Sequence, residues 1–157
     1  MNSSISGMSG SQDIFDILIL LNNRTYGNSG FTSVGGATAT VKTVKDVDYS
    51  INGKVFTKAA TASIALTACP VQPAGTTYDY LVSVDASGNV TCTMGLDIDE
   101  YTKQWSPVRP SLPADNAPLG YFTVTTDDTH TFTAGTTNLN AAGLTITYYA
   151  LSTALLS

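Results

Sequence analysis

Short runs of alternating apolar and polar residues fill the chain from Tyr49 onward, separated by turn signals. Val44, Val47, Tyr49 and Ile51 alternate imperfectly along residues 41–51. Asn52-Gly53 then precedes the run Lys54-Val55-Phe56-Thr57-Lys58. Asn-Gly between alternating runs predicts a hairpin, because both turn positions need positive φ. Residues 59–68 read as a further strand or loop, broken by Pro70 and Pro73. A second hairpin is predicted from residues 78–84 and 90–94, with Gly88 suited to the left-handed position of the turn at residues 85–89. A third is predicted between residues 119–125 and 129–134, across Thr126-Asp127-Asp128. Residues 95–118 are irregular and hold four prolines, and residues 144–150 form a strong final strand. The pattern predicts a mostly β chain, an antiparallel β-sandwich or small barrel of about seven to eight strands.

The N-terminal part follows another pattern. Residues 1–10 are Ser/Gly-rich, the composition of a flexible arm. Residues 14–21 are apolar except for Asp16. A segment this apolar has no solvent face and calls for burial on all sides. Its leucines, with Ser11 and Asp13 placed to cap and charge a first turn, favour a short helix over a buried strand. Residues 25–40 are rich in Gly, Ser, Thr and Asn with no dominant period, the pattern of a linker or long loop anchored by Tyr26 and Phe31. The expected division is an arm over residues 1–40 and a β-domain over residues 41–157.

Length and composition narrow the reading. The chain has 157 residues, enough for one core without staples. Charged residues make up 12% of it, about half the usual share for a globular protein. A surface so poor in charge suits an assembly in which neighbours cover much of it, with an exported, glycan-like surface as the competing reading. The net charge of −5 and the scattering of the seven basic residues argue against nucleic acid as a partner, since phosphate backbones need clustered Lys and Arg. Residues 14–21 are too short for a membrane span, which needs about 20 apolar residues. The first 24 residues lack the basic start and small-residue cleavage pattern of a secretory signal, so synthesis and retention in a cytoplasm are expected.

Residue types that carry chemistry are few. His130 is the sole histidine and follows Asp127 and Asp128; a base or metal site needs partners and a pocket beyond that, and a solvated turn residue is the simpler reading. Asp97, Asp99 and Glu100 resemble calcium ligands but lack the glycine and distant glutamate of an EF-hand loop. Cys69 and Cys92 have no zinc-ligand spacing; they are either a strand-to-strand disulfide or two small buried hydrophobes. Nucleotide, hydrolase and metalloprotease motifs are absent from the sequence. No catalytic, cofactor or metal residue is therefore assigned. Tyr101 and Trp105 flank Lys103 in the Pro-rich stretch and would suit an exposed interface or sugar stacking.

Three segments carry a resemblance. They are VDYSINGKVFTKAATASIALTA (47–68), YDYLVSVDASGNVTCTMG (78–95) and PADNAPLGYFTVTTDDTHTFTAGTTNLNAAGLTITYYALS (113–152). Their order and wording resemble small structural proteins of tailed bacteriophage virions. The resemblance implies a non-enzymatic, mostly β protein, often trimeric, with capsid decoration as one well-populated role. The implied partner is the major capsid protein and the implied place is the outer capsid surface, after synthesis in the host cytoplasm. In that role Ile14, Phe15, Leu18 and Leu21 are the expected assembly contacts, and removing residues 1–24 should abolish trimer formation or capsid attachment. The alternative is a tail or head fibre component that binds a host surface receptor through Tyr101 and Trp105.

Overall fold

A computed structural model describes residues 23–95 and 110–151. Among these the secondary structure is entirely β. The strands are β1 (Arg24–Tyr26), β2 (Thr32–Ser33), β3 (Thr40–Thr43), β4 (Val47–Ile51), β5 (Lys54–Lys58), β6 (Thr61–Ala65), β7 (Thr77–Asp85), β8 (Val90–Met94), β9 (Asn116–Thr126) and β10 (Leu144–Ala150). They form three antiparallel sheets, ordered β1-β4-β5, β2-β3-β6 and β10-β9-β7-β8. The expected apolar helix over residues 14–21 lies outside the described residues.

Two of the predicted hairpins are present. β4 and β5 pair across Asn52 (φ 50) and Gly53 (φ 78), both in the left-handed region that such a turn demands. β7 and β8 pair across a turn organised by Asp85, whose carboxylate accepts from the backbone N–H of Ser87 (2.8 Å) and Asn89 (2.9 Å). Gly88 closes that turn at φ 85.

Other expectations need correction. The third hairpin does not form. β9 pairs with β7 on one side and β10 on the other, while residues 129–134 pass elsewhere and Phe132 bridges Gln72. The run 41–51 is two strands in different sheets. Ser29 breaks it, because its carbonyl accepts from both Val44 (2.9 Å) and Lys45 (3.0 Å) and fixes a turn. Residues 25–40, read as linker or loop, contribute β2 and most of β1.

One apolar cluster joins the sheets. It includes Phe31, Val41, Tyr49, Ile64, Tyr80, Val82, Val84, Leu119, Phe122, Val124 and Phe132. Alternation along β7 and β9 turns Tyr80, Val82, Phe122 and Val124 to this core, all fully buried. Tyr80 stacks on Phe122 (5.0 Å, 8°) and meets Phe132 edge-on (5.4 Å, 82°). Phe31 lies directly over Gly120, where a Cβ would fall 2.5 Å from the Phe31 Cγ. Gly120 thus lets an aromatic ring from the β1–β2 connection rest on the backbone of β9.

The polar side chain at the centre is Gln72, which is fully buried. Its Nε2 donates to the carbonyls of Thr76 and Val124, both at 3.0 Å, and its Oε1 accepts from the Tyr80 hydroxyl at 2.9 Å. Its backbone exchanges both hydrogen bonds with Phe132. Every donor of this amide is satisfied, the condition under which a buried polar group is tolerated. Burial raises the Tyr80 hydroxyl pKa well above its ordinary value, so it stays a donor.

Candidate functional site

Because successive strand residues face opposite ways, the four-stranded sheet has a second face opposite the core. The register places its outward side chains in rows. Thr77, Thr125 and Thr145 form one row; Asp79, Thr123 and Thr147 form the next. Thr93, Leu81, Tyr121 and Tyr149 form a third across all four strands. Thr77 and Thr125 share a hydroxyl–hydroxyl hydrogen bond of 3.0 Å, and Tyr121 and Tyr149 stack at 4.4 Å with rings 9° apart. These rows contain no basic residue and one carboxylate, Asp79, which is itself buried. β-branched threonine packs well on a pleated surface, so the array is locally self-consistent.

At one end of this face Asp79, Leu81, Pro110, Pro118, Tyr121 and Leu151 line a pocket of about 140 Å³. Asp79 accepts a 2.5 Å hydrogen bond from the Thr123 hydroxyl. The walls are mainly apolar, so the face combines a hydroxyl-covered half with an aromatic and apolar half.

The His130 neighbourhood is a turn held together internally. Asp127 accepts from the backbone N–H of Thr129 (3.0 Å) and His130 (2.8 Å), from the Thr129 hydroxyl (3.0 Å), and lies 2.7 Å from His130 Nδ1. These contacts, the Thr129 N–H first and the imidazole next, hold the Asp127 carboxyl well below the usual carboxylate range. Gly143 closes against the pair, with a Cβ there colliding with the imidazole. The carboxylate serves its own turn, as Asp commonly does. Among the described residues no three His, Cys, Asp or Glu side chains converge as metal ligands, and no helix is long and apolar enough to cross a membrane.

Asp85 and Asp115 likewise serve turns. The Asn89 side-chain amide, with backbone N–H groups, lowers the Asp85 carboxyl pKa, and Asp115 accepts from Asn52 Nδ2 at 2.6 Å. The expected assembly contacts Ile14, Phe15, Leu18 and Leu21, the aromatics Tyr101 and Trp105, and the acidic group Asp97, Asp99 and Glu100 all lie outside the described residues. The sequence reading missed the threonine and tyrosine rows. Their signal was present as Thr-x-Thr-x-Tyr in β10 and Tyr-x-Thr-x-Thr in β9, but the rows require the strand order.

Comparison with known proteins found no matching family model, no matching curated protein and no matching solved structure.

Proposed function

We propose that this chain is a non-enzymatic structural component of a tailed-phage virion: a capsid decoration protein that binds and stabilises the major capsid protein shell as a homotrimer. In this reading the described strands form a sandwich-like body, with the four-stranded sheet as one layer and the two three-stranded sheets as the other. The body sits on the outer capsid surface, and the N-terminal residues, with Ile14, Phe15, Leu18 and Leu21, supply further assembly contacts.

The observation that carries the proposal is the outer face of the four-stranded sheet. Its rows of threonines end in a stacked tyrosine pair and bear no exposed charge. Such a face loses little on being covered, because no ion must be desolvated and each hydroxyl can find a partner across an interface. Tyrosine adds contact area with a polar tip, which favours interfaces. A trimer presents three copies of each weak contact to the shell, and linked contacts gain affinity well beyond any single one. The phage-like wording of residues 47–68, 78–95 and 113–152 directs this physical reading to a virion.

Light scattering coupled to size exclusion tests the assembly. The full chain should elute at three times the 16.4 kDa chain mass. Thr125→Lys with Thr145→Lys, which places two charges on the face, should lower occupancy on capsid shells while leaving the far-UV spectrum unchanged. Full occupancy by that double variant would remove the face from the binding role.

A further inference from the structure

We propose that Cys69 and Cys92 are an oxidisable pair, a modification site at which an intramolecular disulfide ties the segment after β6 to the edge of the four-stranded sheet.

β8 borders only β7 among the described strands, so one of its edges is open to a strand partner. The segment that follows β6 runs along it. The Thr67 hydroxyl accepts from the Cys92 N–H at 2.7 Å and donates to the Cys92 carbonyl at 3.2 Å. One side chain thus satisfies both backbone groups of an edge residue. Two residues on, Cys69 Sγ lies 3.4 Å from the same carbonyl, which sets the Cys69 thiol against residue Cys92 itself. Leu66 is buried and its carbonyl backs onto Gly135, so the segment is held in place from both sides. Both cysteines are free thiols in this structure. Cys69 belongs to no regular element, which lets its side chain close the remaining gap without breaking a ladder.

The two sulfurs differ in a way that orders the chemistry. Cys69 is half-buried, whereas Cys92 is 6% exposed. The neighbouring Cys92 thiol draws the Cys69 pKa down, while the same contact and burial push Cys92 up. The oxidant is a low-molecular-weight disulfide such as glutathione disulfide. The Cys69 thiolate attacks one of its sulfurs, the S–S bond breaks, and one glutathione thiolate leaves with the bonding electrons. Cys92 gives its proton to solvent and attacks Cys69 Sγ. The second glutathione thiolate then leaves. The two cysteines lose two electrons and two protons, and the reagent disulfide is reduced to two thiols.

The test uses the full chain incubated with glutathione disulfide at mildly alkaline pH, quenched, and alkylated in denaturant. Expected are an intact mass lower by two hydrogens, no alkyl adduct, and one cross-linked peptide joining Cys69 to Cys92. The native chain should form this bond roughly tenfold faster or more than the urea-unfolded chain, reflecting a preformed effective concentration. Cys92→Ala should stop at a single glutathione adduct on Cys69. Two alkyl adducts, two glutathione adducts, or disulfide-linked dimers of chains would overturn the proposal. A native rate no greater than the unfolded rate would overturn it too, and that comparison does not depend on any variant folding.

Discussion

Replacing Gln72 with Met removes the amide at the centre of the core while keeping its length. Three hydrogen bonds disappear, at 2.9, 3.0 and 3.0 Å. The two carbonyls are not abandoned: Thr76 O still accepts from the Thr126 N–H at 3.0 Å, and Val124 remains in the β9 ladders. The Tyr80 hydroxyl loses its acceptor inside a fully buried site. A buried polar group left without a partner costs about 1–3 kcal/mol, and each ordinary hydrogen bond contributes about 1 kcal/mol. Gln72→Met should therefore destabilise by about 3–5 kcal/mol. Tyr80→Phe keeps the ring stack on Phe122 and the edge contact with Phe132, but strands Gln72 Oε1, at a cost of about 1–3 kcal/mol. The double variant strands neither group, so it should fall short of the sum of the singles by about 1–2 kcal/mol. Urea unfolding followed by far-UV circular dichroism measures all four proteins, with unchanged slopes as the sign of a common unfolding reaction. Strict additivity, or a neutral Tyr80→Phe, would refute the idea that this amide and this hydroxyl depend on each other.

Gly120→Ala should destabilise by about 1–3 kcal/mol through overpacking against Phe31, and should cost less in a Phe31→Ala background, which lacks the colliding Cγ and Cδ1, in the same urea assay. Asp85 and Asp127 are both depressed below the ordinary carboxylate value of 3.8, so their stabilising contributions are complete above that pH and are lost as the pH falls below it. Asp127→Asn should flatten the acid limb of a plot of Tm against pH, and an unchanged limb would contradict the assignment. A truncation after residue 22 keeps β1 and also Asn23, whose Oδ1 accepts from the Asn52 N–H at 2.8 Å. That shortened chain should retain its far-UV spectrum but lose the trimer in light scattering; a normal trimer would take the N-terminal residues out of assembly.

Local chemistry was legible wherever a structure was decided by neighbours in the chain. Asn52-Gly53 and Gly88 announced their turns because only residues tolerant of positive φ serve there. Residues 78–84 and 144–150 were legible as strands from their apolar and β-branched runs. Such runs could not assign a strand its partner. Thr126-Asp127-Asp128 does end β9 and start a turn, yet the strand returning beside β9 comes from residues 144–150, after a connection that bridges Gln72 instead. The break between β3 and β4 was hidden because the group that makes it, the Ser29 carbonyl, is remote in sequence. β1 and β2 are too short to show any period. Gln72 gave no signal between Pro70 and Pro73, since its importance comes from Tyr80 and Val124 across the core. The threonine and tyrosine rows were invisible for a related reason: a surface exists only once strand order and register are known.

The most direct measurement is the copy number of this chain per virion, by quantitative mass spectrometry of purified particles against the major capsid protein. A decoration protein should be present in hundreds of copies, in a fixed ratio to the shell subunit. Absence from the particle, or a handful of copies as in a fibre, would contradict the account.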